Sequence, residues 1–209
     1  MENIINKINR DTFVISDHHF GHKNINKFEP IRLEMAEKLG YVDTEKMMID
    51  LWNSVVKPKD TVLYLGDFAF SGVEKNLKKL NGEVIFIYGN HDKGNLSTDF
   101  IGVKGLHIQF NEDELVHSMD DKLYSGIIKE IDGKMIMFCH YPLEYNDSYD
   151  MMKEKIVNRI TKLKEYYDNF GCDILIHGHV HSNSKEVNNH INVSCEDLGF
   201  VPKRIKDLI

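Results

Sequence analysis

Five short apolar runs, each followed directly by polar residues, constrain this chain more than any other feature of its sequence. The runs span residues 12–16, 61–65, 84–88, 135–139 and 173–176. Continuous apolar runs of this length, rich in Val, Ile, Phe and Tyr, are typical of strands that are buried on both faces. They predict a sheet core enclosed by other elements.

Helical patterns lie between these runs. Residues 43–56 and 149–170 repeat apolar side chains every three or four positions, which predicts two amphipathic helices. Ser71 and Glu74 fit a capping box and predict a third, shorter helix. Strands that alternate with helices predict an α/β fold. The length of 209 residues suits a single domain over 1–209.

The segment 93–134 is the least regular part of the chain. It fits extra strands, a lid or a substrate-facing insertion, and the pattern alone does not choose among them. We read no oligomeric state from the sequence.

Composition and charge exclude several classes of protein. No stretch reaches the roughly 18 apolar residues that a membrane helix needs, and the N-terminal residues lack a secretory pattern, so we expect no membrane contact and a cytoplasmic location. A net charge of −7 without a basic stripe disfavours an extended nucleic-acid track. The three cysteines form no C-x-x-C pair, which argues against a thiolate zinc site.

The residues that follow the five runs are dominated by Asp, His and Asn. They are Asp17 and His19 after the first run, Asp67 after the second, Asn90, His91 and Asp92 after the third, His140 after the fourth, and His179 and His181 after the fifth. Sites in open α/β sheets assemble at the carboxyl ends of strands, so we expect these side chains to converge. In an extended segment residues i and i+2 face the same side, which would bring each D-x-H or H-x-H pair to one site.

Each of these signals is weak when it stands alone. A single Gly66-Asp67 pair is more often a turn, and a lone His140 is more often a hydrogen-bonded histidine near the core. Together, carboxylates, imidazoles and an amide oxygen form the ligand set favoured by Mn²⁺, Fe, Zn²⁺, Ni²⁺ or Co²⁺. The combination therefore predicts a metal site.

These motifs resemble the signature of the calcineurin-like metallophosphoesterase superfamily, which runs D-x-H, GD, GNH-D/E, H and GH-x-H. Every element occurs in that order between Asp17 and His181. The strings SDHHFGHKNI, GNHD, HYP and HGHVH are similar to a compact bacterial and phage branch of the superfamily. The resemblance implies a four-layer α/β/β/α sandwich of two mixed sheets flanked by helices.

The resemblance also implies two divalent metal ions, with Mn²⁺ favoured and Fe, Ni, Co or Zn as alternatives. By motif, one ion would be held by Asp17, His19 and His181, the other by Asn90, His140 and His179, and Asp67 would bridge them. Two such ions, the two aspartates and a bridging hydroxide leave the centre at about +1. A phosphate substrate is therefore compatible with an acidic protein.

We expect a phosphodiesterase that hydrolyses a small or nucleotide-type diester through attack of the metal-bridging hydroxide. His91 is the candidate that protonates the leaving group, while Asp92 either orients His91 or is a turn residue. His22 and Arg32 are candidates for substrate contacts at the rim of the site, although an Arg on a surface helix is usually solvated.

Three aromatic residues near these motifs have competing interpretations. His18 faces opposite Asp17 in an extended chain, which favours a structural role. Phe68 and Phe70 could stack on a nucleobase, but core packing is the commoner explanation.

Other functions remain as alternatives. A phosphomonoesterase or nucleotide pyrophosphatase would use the same metals, and a non-catalytic interaction module would use the same scaffold without them. A phosphoprotein phosphatase is disfavoured because Gly66-Asp67 is followed by Phe68 rather than by the Asp-Arg-Gly of that related branch.

Overall fold

Two β-sheets packed face to face form the centre of the protein, in a computed structural model that describes residues 4–92, 115–117, 124–144, 154–184 and 187–209. The first sheet has the order β3 (Glu83–Phe86), β2 (Thr61–Tyr64), β1 (Phe13–Ile15) and β9 (Lys203–Arg204). The second has the order β4 (Leu115–His117), β5 (Tyr124–Ile131), β6 (Lys134–Cys139), β7 (Ile174–His177) and β8 (His190–Asn192). Each contains parallel and antiparallel pairs, so both sheets are mixed.

Helices cover the outer faces of both sheets. In chain order they are α1 (Ile25–Phe28), α2 (Ile31–Lys38), α3 (Thr44–Val55), α4 (Val73–Leu77) and α5 (Glu154–Asn169). α3 packs on the four-stranded sheet and α5 on the five-stranded sheet, each through its own hydrophobic cluster. The predicted α/β/β/α sandwich is therefore confirmed. No helix among the described ranges is both long and apolar enough to cross a membrane.

Strand β1 shows why the apolar runs are continuous. Phe13 and Ile15 point towards α3 and share a cluster with Trp52, whereas Val14 points towards the second sheet and shares a cluster with Phe138. Alternate side chains of a strand face opposite sides, and here both sides are covered. A polar residue in this strand would have no solvent-exposed face.

Helix α3 begins and ends where the sequence predicts. The carboxylate of Asp43 accepts hydrogen bonds from the backbone N–H groups of Glu45 and Lys46, which satisfies two of the free donors at the helix start. Val56 is already extended, and Pro58 follows it.

The capping box predicted at Ser71 is wrong. The residue before α4 is Gly72, in the left-handed region with φ 66°, and it makes no side-chain capping hydrogen bond. The Ser71 hydroxyl instead lies against Gly21, 2.2 Å from the position of an added Cβ. The loop that carries Ser71 is thus held by the neighbouring loop and not by a helix cap.

Two sequence predictions fall partly outside the described residues. Within 93–134 the chain forms β4, β5 and the first residue of β6, while 93–114 and 118–123 lie outside the described residues. The helix predicted over 149–170 is observed as α5, and its first predicted residues, 149–153, also lie outside them.

Candidate metal centre

All seven predicted ligands lie at one edge of the sandwich, where strands of both sheets end. Asp17 and His19 follow β1, Asp67 follows β2, Asn90 follows β3, His140 follows β6, and His179 and His181 follow β7. The two sheets are joined at this edge, because the Ser16 N–H donates to the Val193 carbonyl at 3.0 Å and the Cys195 N–H to the Ser16 carbonyl at 3.0 Å. The ligand loops therefore share one rigid frame.

Asp17, His19 and His181 form the first ligand group. One ligand atom from each lies within 4.8 Å of the others. The imidazoles of His19 and His181 stack with their centroids 5.0 Å apart, and Nε2 of His19 is 3.8 Å from Oδ1 of Asp17. This spacing leaves room for a cation among the three side chains.

Asp67, His140 and His179 form the second group, again within 4.8 Å of one another. Asn90 joins them, since its Oδ1 lies 2.9 Å from Nε2 of His140. Nδ1 of His140 donates to the Leu65 carbonyl at 2.8 Å, a contact that directs Nε2 towards the site. The second group therefore offers one carboxylate, two imidazoles and one amide oxygen.

Asp67 lies between the two groups. Its Oδ2 is 3.5 Å from Nε2 of His19 and 3.5 Å from Nε2 of His140. Its Oδ1 accepts a hydrogen bond of 2.9 Å from the backbone N–H of His91. One oxygen of Asp67 is thus held by the protein, and the other faces both groups.

Buried polar atoms without partners show that a cation fits the first group. Among the described residues, Oδ1 of Asp17 and both ring nitrogens of His19 are buried and have no hydrogen-bond partner. The other oxygen of Asp17 accepts from Ser16, from the Ser194 hydroxyl at 3.1 Å and from the backbone N–H of His179 at 2.8 Å. Unpaired buried polar atoms are costly, and a divalent ion would satisfy Oδ1 of Asp17 and the ring nitrogen of His19 that faces it, Nε2.

The candidate ligands lie on strained turns and not on extended segments of the chain. Asp17, His19, Asp67, His179 and His181 have φ values of 63°, 51°, 58°, 73° and 50°. This left-handed region is uncommon for residues other than glycine, and such strain concentrates at functional sites. The expected convergence of the D-x-H and H-x-H pairs is observed, but its predicted cause, an extended segment, is wrong.

Two glycines allow these turns to approach each other. A Cβ on Gly89 would lie 2.0 Å from Oδ1 of Asp67, and a Cβ on Gly178 would lie 2.3 Å from Oδ2 of Asp17. Any larger residue at either position would displace a ligand carboxylate.

Protonation differs between His19 of the first group and His140 of the second. Burial lowers the pKa of His19 well below its usual value, so its ring is neutral and can act as a ligand. Burial also acts to lower the pKa of His140, but the negative charges of Asp67 and Asp17 outweigh it and raise that pKa to about 9. A cation at the second group would therefore displace a proton from His140.

Asp92 positions the loop that carries Asp67. Its Oδ2 accepts from the backbone N–H groups of Asp67 at 2.7 Å and Gly89 at 2.9 Å, and its Oδ1 from that of Phe68 at 3.0 Å. Burial and the charge of Asp67 raise the pKa of Asp92 to about 6 against the effect of these donors. Neither option offered by the sequence, orienting His91 or forming a simple turn, included this role.

Arg32 is completely buried, which contradicts its predicted place at the substrate rim. Its Nε donates to Oε1 of Glu196 at 2.7 Å. Its Nη1 and Nη2 donate to the carbonyls of His18 and Asp17, both at 2.7 Å. The guanidinium therefore holds the first ligand loop from behind and does not face a substrate.

Glu196, which pairs with Arg32, also supports the candidate ligand His181. The sequence analysis did not identify this role. Its Oε2 lies 3.2 Å from Nδ1 of His181. Burial alone would raise the pKa of Glu196, but the hydrogen bond from His181 and the charge of Arg32 lower it to about 2. A carboxylate behind a ligand histidine fixes the ring orientation and strengthens its other nitrogen as a ligand. The available signal was a Glu directly after the alternating string INVSC at 191–195, which is typical of a strand, because a buried Glu is rarely left unpaired.

The remaining aromatic candidates are divided between the core and the rim. His18 is buried, with Nδ1 2.9 Å from the Tyr64 hydroxyl, and Phe68 is buried in the core. His22 and Phe70 are half-buried, and their rings lie 6.0 Å and 5.6 Å from that of His19. His91 is exposed beside them, 5.5 Å from the His19 ring.

Comparison with known proteins agrees with this geometry. The model of the calcineurin-like phosphoesterase superfamily domain matches residues 11–195. That match includes every candidate ligand and every strand of the two sheets except β9. The chain belongs to this superfamily.

This chain is similar in sequence or in structure to several distant relatives. It is 32% identical to the uncharacterized protein MJ1445 of Methanocaldococcus jannaschii over 166 residues, 75% of this chain and 85% of that protein. The crystal structure of the protein of unknown function AQ665 from Aquifex aeolicus is 28% identical, with a TM-score of 0.66 over 91% of this chain and 93% of that one. A novel archaeal phosphodiesterase is 18% identical, with a TM-score of 0.40 over 88% of this chain and 81% of that one. The last likeness is too low to transfer an activity.

Proposed function

We propose that this chain is a dinuclear-metal-dependent phosphodiesterase that hydrolyses a small or nucleotide-type diester. The observation that carries the proposal is the position of Asp67, whose Oδ2 lies 3.5 Å from a histidine nitrogen of each ligand group. A carboxylate oxygen placed between two sets of ligands suits two cations that share it.

The ligand groups fit divalent ions, with Mn²⁺ favoured and Fe, Ni, Co or Zn as alternatives, because their donors are carboxylates, imidazoles and one amide. Two such ions, when bound, would lower the pKa of a shared water and would neutralise charge on the phosphate oxygens. The chain contributes by orienting the ligands: Asp92 holds the Asp67 loop, and Arg32 with Glu196 holds the first group.

A diester is favoured over a monoester because of the position of Arg32. A monoester dianion carries about one more negative charge than a diester at neutral pH, and a cationic side chain commonly compensates it. Arg32, which the sequence offered as a contact to the substrate phosphate, is buried against Glu196 and two backbone carbonyls and cannot supply this charge. The net charge of −7 further favours a small substrate over a polynucleotide.

With added Mn²⁺, the protein should hydrolyse bis(p-nitrophenyl) phosphate with a kcat/KM at least about tenfold above that for p-nitrophenyl phosphate, a difference of about 1.4 kcal/mol in transition-state stabilisation. Both esters release the same chromophore, so absorbance compares them directly. A reversed ratio would favour the phosphomonoesterase or pyrophosphatase alternative. No bound metal together with no hydrolysis would favour a non-catalytic interaction module.

We assign His91 as the acid that protonates the leaving group. It is exposed at the site, and its backbone N–H donates to Oδ1 of Asp67 at 2.9 Å, which ties its position to that of the shared carboxylate. Its ring lies 5.5 Å from that of His19 and is not part of either ligand group. An exposed imidazole beside the site can reach a departing oxygen without replacing a ligand.

His91→Gln should lower kcat for the diester by about 100-fold, because general acid catalysis contributes on that scale. The bound metal should stay at the wild-type amount, measured by elemental analysis of the dialysed protein. A leaving group of lower pKa needs less protonation, so the loss should shrink for bis(p-nitrophenyl) phosphate relative to an alkyl ester. Loss of metal in this variant would instead make His91 a ligand or a structural residue.

The single-domain organisation of 1–209, the cytoplasmic location and the substrate contact of His22 stay predictions.

A further inference from the structure

A row of aromatic rings leads away from the metal centre towards solvent. Starting at His19, the ring centroids are separated by 5.6 Å to Phe70, 4.3 Å from Phe70 to His22, and 6.0 Å from His22 to Phe28. We call Phe70, His22 and Phe28 the aromatic row. Its inner end touches a metal ligand, and its outer end is Phe28, which is 68% exposed.

Phe70 differs from its neighbour Phe68 in a way that the sequence did not reveal. Phe68 is fully buried and packs against Tyr64 and Phe86. Phe70 is half-buried and packs against His22 and against His91, 4.9 Å away. Core packing therefore explains Phe68, whereas Phe70 lies at the rim of the metal centre.

The inner part of the aromatic row is held in place by backbone contacts. The Phe20 N–H donates to the Phe68 carbonyl at 2.9 Å, and the Phe70 N–H donates to the Phe20 carbonyl at 2.8 Å. The next residue, Gly21, also anchors its loop, because its N–H donates to Oε1 of Glu45 at 2.6 Å. The two loops that carry Phe70 and His22 thus form one preorganised surface, which lowers the cost of binding a ligand.

The row carries no fixed positive charge. Nδ1 of His22 accepts a hydrogen bond of 3.1 Å from the Asn24 N–H, so that nitrogen holds no proton. The neutral imidazole meets the two phenyl rings edge to face, at 85° to Phe70 and 72° to Phe28, so the row is a set of separate apolar rings and not one continuous plane. Such a surface suits a planar uncharged ring better than a second phosphate or a sugar.

We propose that the aromatic row is the subsite for the nucleobase of a nucleotide substrate, whose phosphate lies at the metal centre. This inference rests on the proposed phosphoesterase function and narrows its substrate class. Bases stack on aromatic side chains with little dependence on sequence because every base has a π-face. The row accordingly selects for the presence of a base more than for its identity.

The test compares binding of AMP and ribose 5-phosphate to the Mn²⁺-loaded protein by calorimetry. The two probes share the phosphate and the ribose, so the ratio of their dissociation constants isolates the base. Wild-type protein should bind AMP at least about tenfold more tightly, and Phe28→Ala should reduce that ratio about fivefold while leaving ribose 5-phosphate binding unchanged. Phe28 lies on α1, which has no buried residue, so its truncation should not disturb the fold.

Val42→Ala is the matched control, because Val42 is fully exposed, apolar and outside the row. It should leave both dissociation constants unchanged. Equal binding of the two probes by wild-type protein, or a ratio unaffected by Phe28→Ala, would overturn the subsite. Failure of the proposed function would give a different result. The protein would then hydrolyse no phosphate ester, even if it preferred AMP and lost that preference in the Phe28→Ala variant.

Discussion

Asp67→Asn should lower kcat/KM for a phosphodiester by about 10³-fold or more and reduce the metal bound per chain. The substitution keeps the shape of the side chain but removes the negative charge from the position between His19 and His140. It also replaces an oxygen that can face both groups by an amide that offers one neutral oxygen. Initial rates with bis(p-nitrophenyl) phosphate and elemental analysis of dialysed protein measure the two effects.

The fold should survive this change. An Asn oxygen can still accept the hydrogen bond from the His91 N–H, so the loop keeps its anchor. Asp11→Asn is the matched control, since Asp11 forms its ion pair with Lys206 at the surface, apart from every ligand. Asp67→Asn protein that kept wild-type metal content and turnover would show that Asp67 is not shared between two ions.

Arg32→Met should destabilise the metal-free protein by about 3–5 kcal/mol, the usual cost of removing one partner from a buried ion pair. Glu196 would stay buried without its main positive neighbour, and the carbonyls of Asp17 and His18 would lose their donors. Chemical denaturation followed by circular dichroism measures the change in unfolding free energy. Metal affinity should fall as well, because Arg32 supports the loop of the first ligand group.

A second substitution separates the ion pair from simple packing. Arg32→Met combined with Glu196→Gln removes the buried charge and should recover a large part of the lost stability, which a double-mutant cycle would quantify. Arg10→Met is the control for loss of an arginine, because its ion pair with Asp132 is at the surface and such pairs contribute little. An equal loss in the single and double variants would mean that the size of Arg32, and not its charge, matters.

The positions of the candidate ligands could be predicted because the ends of the strands are recognisable in the sequence. Apolar runs buried on both faces mark the strands, and the polar residue after each run marks the edge where chains from both sheets meet. Asp67 and His140 could therefore be brought together although 73 positions separate them in the chain. The local geometry was not predictable in the same way, since left-handed turns at Asp17 and His179 depend on the neighbouring loops that pack against them.

The supporting residues were harder to predict because their partners are distant in sequence. Arg32 has the local pattern of a surface helix, and only its contact with Glu196, 164 positions away, explains its burial. Asp92 likewise acts through backbone N–H groups of the Asp67 loop, which no side-chain pattern records. Phe68 and Phe70 are two positions apart in the loop after β2, yet Phe68 lies in the core and Phe70 lies at the site, a difference that the sequence pattern does not indicate.

Anomalous diffraction from crystals of the Mn²⁺-loaded protein tests the shared role of Asp67 most directly. We expect two peaks about 3.5–4 Å apart, one beside Asp17, His19 and His181 and the other beside Asn90, His140 and His179, with Asp67 between them. A single peak, or two peaks with the Asp67 carboxylate turned away from one of them, would contradict it.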